Sequence, residues 1–201
     1  MLEKKKISIY YFSNTGNTYI IGKKVCETFI SNGYEAAFIS MRTMKPKDIP
    51  IDDIIGLAFP VAIQSTYPFV WDFVSKMPKV NGTKIFMLDT MEQFSGGVVG
   101  PMKKQLSDKG YIGIGAKEFK LPSSIRKKEK KKQNVNQIIN KSENEAVAYV
   151  KAMIDEKTHW RRVPILSDLV RCISKPKIIW EKISIKSIVE NNHTNLFQNK
   201  S

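Results

Sequence analysis

Cysteine is scarce in this sequence, and its scarcity excludes two kinds of protein. Cys26 and Cys172 are the only two cysteines, far apart and outside any C-x-x-C or zinc-type spacing. Neither a disulfide framework nor an iron–sulfur cluster can be assembled from them. They indicate reduced thiols of the kind found inside cells.

Long apolar runs are also missing. No run approaches the roughly 18 residues that a membrane-spanning helix needs. The N-terminal residues Met1–Lys6 lead directly into a strand-like segment without a signal-peptide core. We therefore expect a cytoplasmic protein that is soluble or at most peripheral to a membrane.

Histidine is also scarce, with two residues in the chain. His159 and His193 are isolated in a poorly patterned part of the chain, where we read each as a surface side chain. No nucleophile with a partnering acid or base is evident. The sequence therefore predicts no metal site and no catalytic residue.

Two glycine-rich fingerprints of nucleotide-binding proteins are absent. The dinucleotide pattern G-x-G-x-x-G does not occur, which argues against a nicotinamide-binding unit. The triphosphate pattern G-x-x-x-x-G-K-[ST] also fails. The spacing from Gly16 to Gly22 is one residue too long, and Lys24 replaces the required hydroxyl.

Acidic residues are outnumbered by basic ones. The chain has 33 Lys+Arg against 19 Asp+Glu, a formal net charge of +14, and most of the excess lies after Lys120. Such charge favours nucleic acid, an anionic membrane surface or an acidic protein as a partner, without choosing among them. No aromatic residues interleave with the densest basic run, Arg126–Lys132, so we expect no nucleic-acid binding.

The sequence does contain a regular alternation of strand-like and helix-like segments. The predicted strands are Ile7–Phe12, Glu35–Ile39, Ile54–Phe59, Lys84–Leu88 and Tyr111–Phe119. The predicted helices are Asn17–Ser31, a short one from Thr43, Tyr67–Met77, Val98–Lys109 and Glu143–Asp155. Strands that are apolar on both faces and alternate with helices predict an α/β domain with a parallel sheet covered by helices.

A polar loop, Ser13–Thr18, separates the first predicted strand from the first helix. Backbone N–H groups and hydroxyls at a helix N-terminus favour an anion, and Gly16 would let the backbone approach it closely. The loop contains no Lys or Arg, so it suits a phosphomonoester better than a triphosphate. The alternative is a helix that is merely N-capped by these residues.

Two later loops suit a flat ring. The segments AFPVAIQSTYP and LDTMEQFSGGVVGP follow the third and fourth predicted strands and mix small residues with a few apolar or aromatic ones. In an open parallel sheet of order 2-1-3-4-5, both loops lie near the polar loop at the carboxyl edge.

Together, YFSNTGNT, AFPV and DTMEQFSGGVVGP resemble a flavodoxin-type FMN-binding domain. They are most similar to the flavodoxin module that often precedes a two-cluster ferredoxin domain in anaerobic bacteria and archaea. The resemblance covers about Lys5–Asp155. It implies a flavodoxin-like, doubly wound, five-stranded parallel sheet of order 2-1-3-4-5 with helices on both faces, together with non-covalent FMN and electron transfer.

The resemblance also implies which residues hold FMN. The phosphate would be held by Ser13, Asn14, Thr15, Gly16, Asn17 and Thr18. One face and edge of the ring would be approached by Pro60, Val61, Ala62, Ile63 and Gln64. The other side would be formed by Thr90, Met91, Glu92, Phe94, Ser95, Gly96 and Gly97. Phe94 would stack on the ring, and the backbone N–H groups of Gly96 and Gly97 would reach its pyrimidine oxygens.

Two features depart from the family pattern. The Trp and Tyr that commonly sandwich the flavin have no obvious equivalents here, because the loop after the third predicted strand offers only Ile63, Gln64 and, further on, Tyr67. Trp71 lies among apolar residues of a predicted helix and is predicted to pack there. The chain is also basic, whereas electron-carrier flavodoxins tend to be acidic. We therefore predict no redox potential.

The function implied by the resemblance is electron transfer between redox partners. The basic run Arg126–Lys132, in a predicted long loop Leu121–Val135, is either a solvated surface or a docking surface for an acidic partner such as a ferredoxin. Two alternatives remain: an NAD(P)H:quinone-type oxidoreductase on the same fold, and a flavin-free binding protein that acts through its basic tail.

The chain divides into two predicted regions. Residues 1–155 form the flavodoxin-like domain, and residues 156–201 form a basic extension. We expect short helices in the extension that dock on the domain or on a partner. Its basic residues alternate with Trp and Ile, so peripheral contact with an anionic membrane is a further possibility.

Overall fold

The computed structural model describes residues 6–51, 53–62, 65–91, 97–121 and 132–160, with side chains from residue 135 onward in the last range. Six strands lie within these residues. They are β1 (Lys6–Tyr11), β2 (Glu35–Ser40), β3 (Ile54–Ala62), β4 (Ser65–Thr66), β5 (Lys84–Met91) and β6 (Ile112–Lys120).

Five of these strands form a parallel sheet in the order β2-β1-β3-β5-β6, while β4 pairs antiparallel with the end of β3. Without the two-residue β4, this is the predicted order 2-1-3-4-5. The flavodoxin-like fold class is therefore confirmed. The order reverses between β1 and β3, and in open parallel sheets this switch point is where ligands bind, at the carboxyl edge.

The helices in the described residues are α1 (Asn17–Ser31), α2 (Pro68–Lys76), α3 (Val99–Ser107) and α4 (Lys132–Ile154). The predicted helix from Thr43 is wrong. The chain forms turns there, followed by a short 3₁₀ helix, Pro46–Asp48. Pro50 favours an extended Ile49, which has φ −65° and ψ 125°, and this prevents the helix from continuing.

The last helix was predicted to begin too late. It begins at Lys132, well before Glu143, so the end of the predicted loop Leu121–Val135 is helical. The signal was weak because the described residues in the first half of α4 are mostly exposed and polar, and Ile139 is the one that packs on the core. Residues 122–131, including most of the basic run, lie outside the described residues.

Two apolar layers cover the sheet. Alternate residues of the central strand, Leu57 and Phe59, pack on the side of α2 and α3, while Ala58 packs on the side of α1 and α4. Trp71 contacts the first layer, which confirms it as a packing residue, and Cys26 lies buried in the second. The strands are thus buried on both faces, as their near-continuous apolar sequences predict.

Residues after α4 also pack on this domain. Trp160 is buried at 3% exposure between β6 and α3, where its Nε1–H donates to the Val99 carbonyl over 3.1 Å. A Cβ on Gly113 would lie 2.8 Å from the Trp160 ring, so this strand position requires glycine for the indole to fit. The Thr158 hydroxyl donates to the Ile114 carbonyl over 2.7 Å. Residues 161–201 lie outside the described residues.

Candidate functional site

The candidate site lies at the carboxyl edge of the sheet, where β1, β3 and β5 end. Pairing between strands continues to this edge, since the Phe12 N–H donates to the Ala58 carbonyl over 2.8 Å, and Pro60 stands opposite Thr90 in register. The edge therefore brings together three groups of predicted site residues: Ser13–Thr18, Pro60–Ala62 and Thr90–Met91.

The loop Ser13–Thr18, which we call the polar loop, is closed by its own first residue. Ser13 Oγ accepts hydrogen bonds from the N–H groups of Gly16, over 3.2 Å, and Tyr19, over 3.3 Å. Gly16 has φ +92°, in the left-handed region that favours glycine. Ser13 therefore supports the start of α1 from outside the helix, while the N-cap position itself is a glycine without a side chain.

The outer side of the polar loop is open. Thr15 and Gly16 are exposed, and no atom lies within 4 Å of the point where a Cβ on Gly16 would stand. The first turn of α1 contains no acidic residue. First-turn N–H groups have no acceptor within their own helix, and the helix dipole is positive at this end. This geometry suits an anionic group that approaches from solvent.

The inner side of the polar loop is tied to β5. The hydroxyls of Thr18 and Thr90 lie 2.7 Å apart and share a hydrogen bond, and both side chains are buried. Thr18 thus points toward the sheet, whereas Thr15 is the exposed hydroxyl of the loop. The pair fixes the first turn of α1 against the strand that leads into the third predicted site segment.

A cluster of aromatic rings connects the polar loop to the segment after β3. The Asn14 amide donates to the Tyr67 hydroxyl over 3.4 Å. The Phe12 ring lies 5.3 Å from the rings of both Tyr67 and Phe69, measured between centroids. The Arg42 guanidinium lies over the same surface, 5.0 Å from the Phe12 centroid.

The end of β3 pairs antiparallel with β4. Val61 pairs with Thr66, and the Thr66 hydroxyl donates to the Pro60 carbonyl over 2.9 Å. The Trp71 indole then donates to the Ser65 hydroxyl over 3.2 Å. These bonds hold Pro60–Ala62 in an extended, half-buried conformation at the edge of the site.

Asp89 lies just inside this edge, in β5. It is fully buried, and neither carboxylate oxygen has a hydrogen-bond partner among the described residues. Burial raises the pKa of Asp89 well above its ordinary value, and the negative charge of Glu118, its register partner in β6, raises it further. The pKa of Glu118 is also raised, chiefly by burial. Asp89 therefore favours its neutral form.

Of the remaining predicted site residues, some lie within the described residues and others lie outside them. Gly97 is described; it is buried and shortly precedes α3. The positions outside the described residues are Ile63, Gln64, Glu92, Phe94, Ser95 and Gly96. Their assignment to the flavin ring stays a prediction.

Sequence reasoning did not single out Arg42, Tyr67 or Asp89 as site residues. Asp89 had a readable signal, because it is an acidic residue in the apolar strand Lys84–Met91. Arg42 and Tyr67 had none, since only the arrangement of β2, β1 and β3 brings their side chains to Phe12.

The described residues contain neither a metal-binding cluster nor a membrane-spanning helix. Across that part of the chain, no three His, Cys, Asp or Glu side chains come together in a way that could hold a metal ion. None of its helices is both long enough and apolar enough to cross a membrane.

Comparison with known proteins identifies the fold. No protein-family model matches the chain, and no curated protein matches its sequence. The structure is similar to that of Megasphaera elsdenii flavodoxin, with a TM-score of 0.51 and 22% identity over 71% of this chain and 98% of the other. It is also similar to a flavodoxin from Streptococcus pneumonia, with a TM-score of 0.53 and 16% identity over 73% of this chain and 98% of that one.

A third similar structure is a larger protein. Rubredoxin oxygen:oxidoreductase from Desulfovibrio gigas matches 76% of this chain with a TM-score of 0.55 and 14% identity. The match spans only 37% of the length of that protein. Identities this low establish architecture, and the architecture of the present chain is a flavodoxin-like α/β fold.

Proposed function

We propose that this chain binds FMN non-covalently at the carboxyl edge of its sheet and transfers electrons between redox partners. The observation that supports this most directly is the polar loop. It presents an open helix N-terminus without acidic residues at the switch point between β1 and β3. In a doubly wound sheet, that is where ligands bind.

The residues of the polar loop have different roles in this proposal. Thr15 and Gly16 are exposed, and the Thr15 hydroxyl together with the backbone at the start of α1 would donate to the phosphate oxygens. Asn14 and Asn17 would add amide donors. Ser13 and Thr18 hold the loop in shape, because Ser13 accepts from two backbone N–H groups and Thr18 shares a hydrogen bond with Thr90.

The ring of FMN would lie between the two neighbouring segments. Pro60–Ala62, with Ile63 and Gln64, would contact one face and edge. Thr90–Glu92 and the segment through Gly97 would contact the other side, with Phe94 stacked on the ring and the N–H groups of Gly96 and Gly97 on its pyrimidine oxygens. The extended backbone of β3 and its pairing with β4 would orient the ring.

The chemistry requires no acid, base or nucleophile from the protein. Bound FMN would supply the redox chemistry, and the chain would supply binding, orientation and the surrounding charge. With a net charge of +14, the protein would attract an acidic redox partner over long range, and an acidic ferredoxin has the appropriate charge.

A titration with FMN tests this function. We expect the parent protein to quench FMN fluorescence and to alter its visible spectrum. Thr15→Ala should weaken binding, because it removes the exposed hydroxyl of the polar loop. Ser31→Ala is the matched control, since it removes an exposed hydroxyl at the opposite end of α1. No binding by the parent in excess FMN would contradict the proposal.

A second measurement separates the carrier from the reductase. We expect the FMN-loaded protein to be reduced by a low-potential donor and to pass electrons to an added acceptor, without oxidising NADH or NADPH by itself. Rapid NAD(P)H oxidation coupled to quinone reduction would favour the oxidoreductase instead.

A further inference from the structure

Arg42 lies against the residue that immediately precedes the polar loop. The chain crosses the end of β1 directly after β2, since the Met41 N–H donates to the Tyr11 carbonyl over 2.8 Å. Arg42 follows, and its guanidinium lies 5.0 Å from the ring centroid of Phe12. Phe12 immediately precedes Ser13, the first residue of the polar loop.

The guanidinium lies against two aromatic rings. It lies 6.0 Å from the centroid of Phe69 as well as 5.0 Å from that of Phe12. Among the described residues, Arg42 makes no ion pair, and its side chain is exposed. When an arginine stacks on aromatic faces, the N–H groups in the plane of its guanidinium can still donate to an anion.

The surface that holds Arg42 is connected to the polar loop through a second contact. Tyr67, whose ring packs on Phe12, accepts a hydrogen bond from the Asn14 amide. Phe12, Tyr67, Phe69 and Arg42 thus form one surface beside the loop. The loop contains no Lys or Arg of its own, so a phosphate bound there would have its neighbouring positive side chain supplied from the end of β2.

We propose that Arg42 is a specificity residue of the site, which binds the phosphate group of the ligand and thereby selects FMN over riboflavin. This inference rests on the proposed function. The fork of guanidinium N–H groups matches the oxygens of a phosphate and can donate two hydrogen bonds at once. Riboflavin has the same ring and side chain without the phosphate, so it would gain nothing from Arg42.

The competing interpretation is that Arg42 only covers an exposed ring. Phe69 is 41% exposed, and the guanidinium with its aliphatic stem shields part of it. In that case, removal of Arg42 would change stability and would affect both flavins equally. The two interpretations therefore differ in whether the effect depends on the phosphate.

The experiment compares FMN and riboflavin binding by fluorescence quenching in the parent and in Arg42→Gln. We expect FMN affinity to fall by roughly 10- to 100-fold, the range for the loss of a charge-assisted hydrogen bond, while riboflavin affinity is unchanged. Lys47→Gln, an exposed cation in the same connection, is the control for net charge and should leave both affinities unaltered. Thermal unfolding of the flavin-free variants verifies that each is folded.

The outcomes are distinct. Equal weakening of both flavins in Arg42→Gln, or no change in either, would overturn the role of Arg42 while leaving the proposed function intact. A parent protein that binds neither flavin would overturn the proposed function and this inference with it. The role of Arg42 would be established by a loss of affinity that is confined to FMN. In that case, the FMN affinity of the parent should fall as salt is raised, whereas that of the variant should not.

Discussion

The hydroxyl oxygens of Thr18 and Thr90 lie 2.7 Å apart, although 72 positions separate the residues in sequence. Thr18 is in the first turn of α1 and Thr90 is near the end of β5, and both are almost completely buried. This bond connects the polar loop to the strand that leads into the third site segment. Both segments would contact FMN, so the pair joins two of the three segments of the proposed site.

The hydrogen bond between Thr18 and Thr90 can be tested with a double-mutant cycle. Thr18→Val or Thr90→Val alone leaves one buried hydroxyl without its partner, which should lower the free energy of unfolding by about 1–3 kcal/mol. The double variant, which removes both hydroxyls without a change of shape, should lose much less than the sum. Urea unfolding at neutral pH measures all four proteins. Simple additivity of the two single effects would show that the pair is not coupled.

Most of this fold can be predicted from the sequence, because local sequence features specify its strands and helices. Apolar runs buried on both faces identify β1, β3 and β5, and the break at Ser13–Thr18 identifies the start of α1. The pair Thr18 and Thr90 could not be predicted in the same way, because no local pattern specifies which hydroxyls meet across the sheet. The same holds for Arg42, whose contact with Phe12 depends on the order of the strands.

Substitution of Gly16 separates the effect of backbone strain from the effect on ligand binding. Its φ of +92° means that Gly16→Ala should cost about 1 kcal/mol of stability. Gly33 is a matched control, since it has φ +88° and, like Gly16, nothing within 4 Å of its would-be Cβ. Gly33→Ala should cost about the same stability. Only Gly16→Ala should weaken FMN binding, as measured by fluorescence titration; equal effects of both variants on FMN would argue against the polar loop as the phosphate site.

Trp160 makes a prediction about the extent of the folded domain. Trp160→Ala should lower the free energy of unfolding by about 3–5 kcal/mol, because it opens a large cavity and removes the donor to the Val99 carbonyl. Trp71→Ala should cost less, since that indole is only partly buried. Denaturant unfolding of both variants measures the difference. A chain that ends at Asp155 should be destabilised like Trp160→Ala, and full stability of that shorter chain would contradict the contribution of Trp160.

The buried Asp89 predicts how stability depends on pH, because within the part of the chain that the structure describes its carboxyl group has no hydrogen-bond partner. Its pKa in the folded protein is raised by burial and by Glu118, whereas in the unfolded chain it is about 3.9. The folded protein therefore holds a proton that the unfolded chain releases. The stabilisation that comes from the protonated Asp89 is complete below about pH 4. As the pH rises toward the raised pKa, the free energy of unfolding falls by up to about 1.4 kcal/mol per pH unit.

Asp89→Asn should remove this loss, because an amide cannot ionise. We expect the variant to be more stable than the parent at neutral pH, with the difference shrinking as the pH is lowered toward 4. Glu118, whose pKa is also raised by burial, will leave part of the pH dependence in place. Asp108→Asn is the control, since Asp108 is exposed beside Lys104 and its ion pair there contributes little. Urea unfolding between pH 4 and 8 makes the comparison. A stability difference between the parent and Asp89→Asn that does not change with pH would show that Asp89 is not protonated in the folded protein.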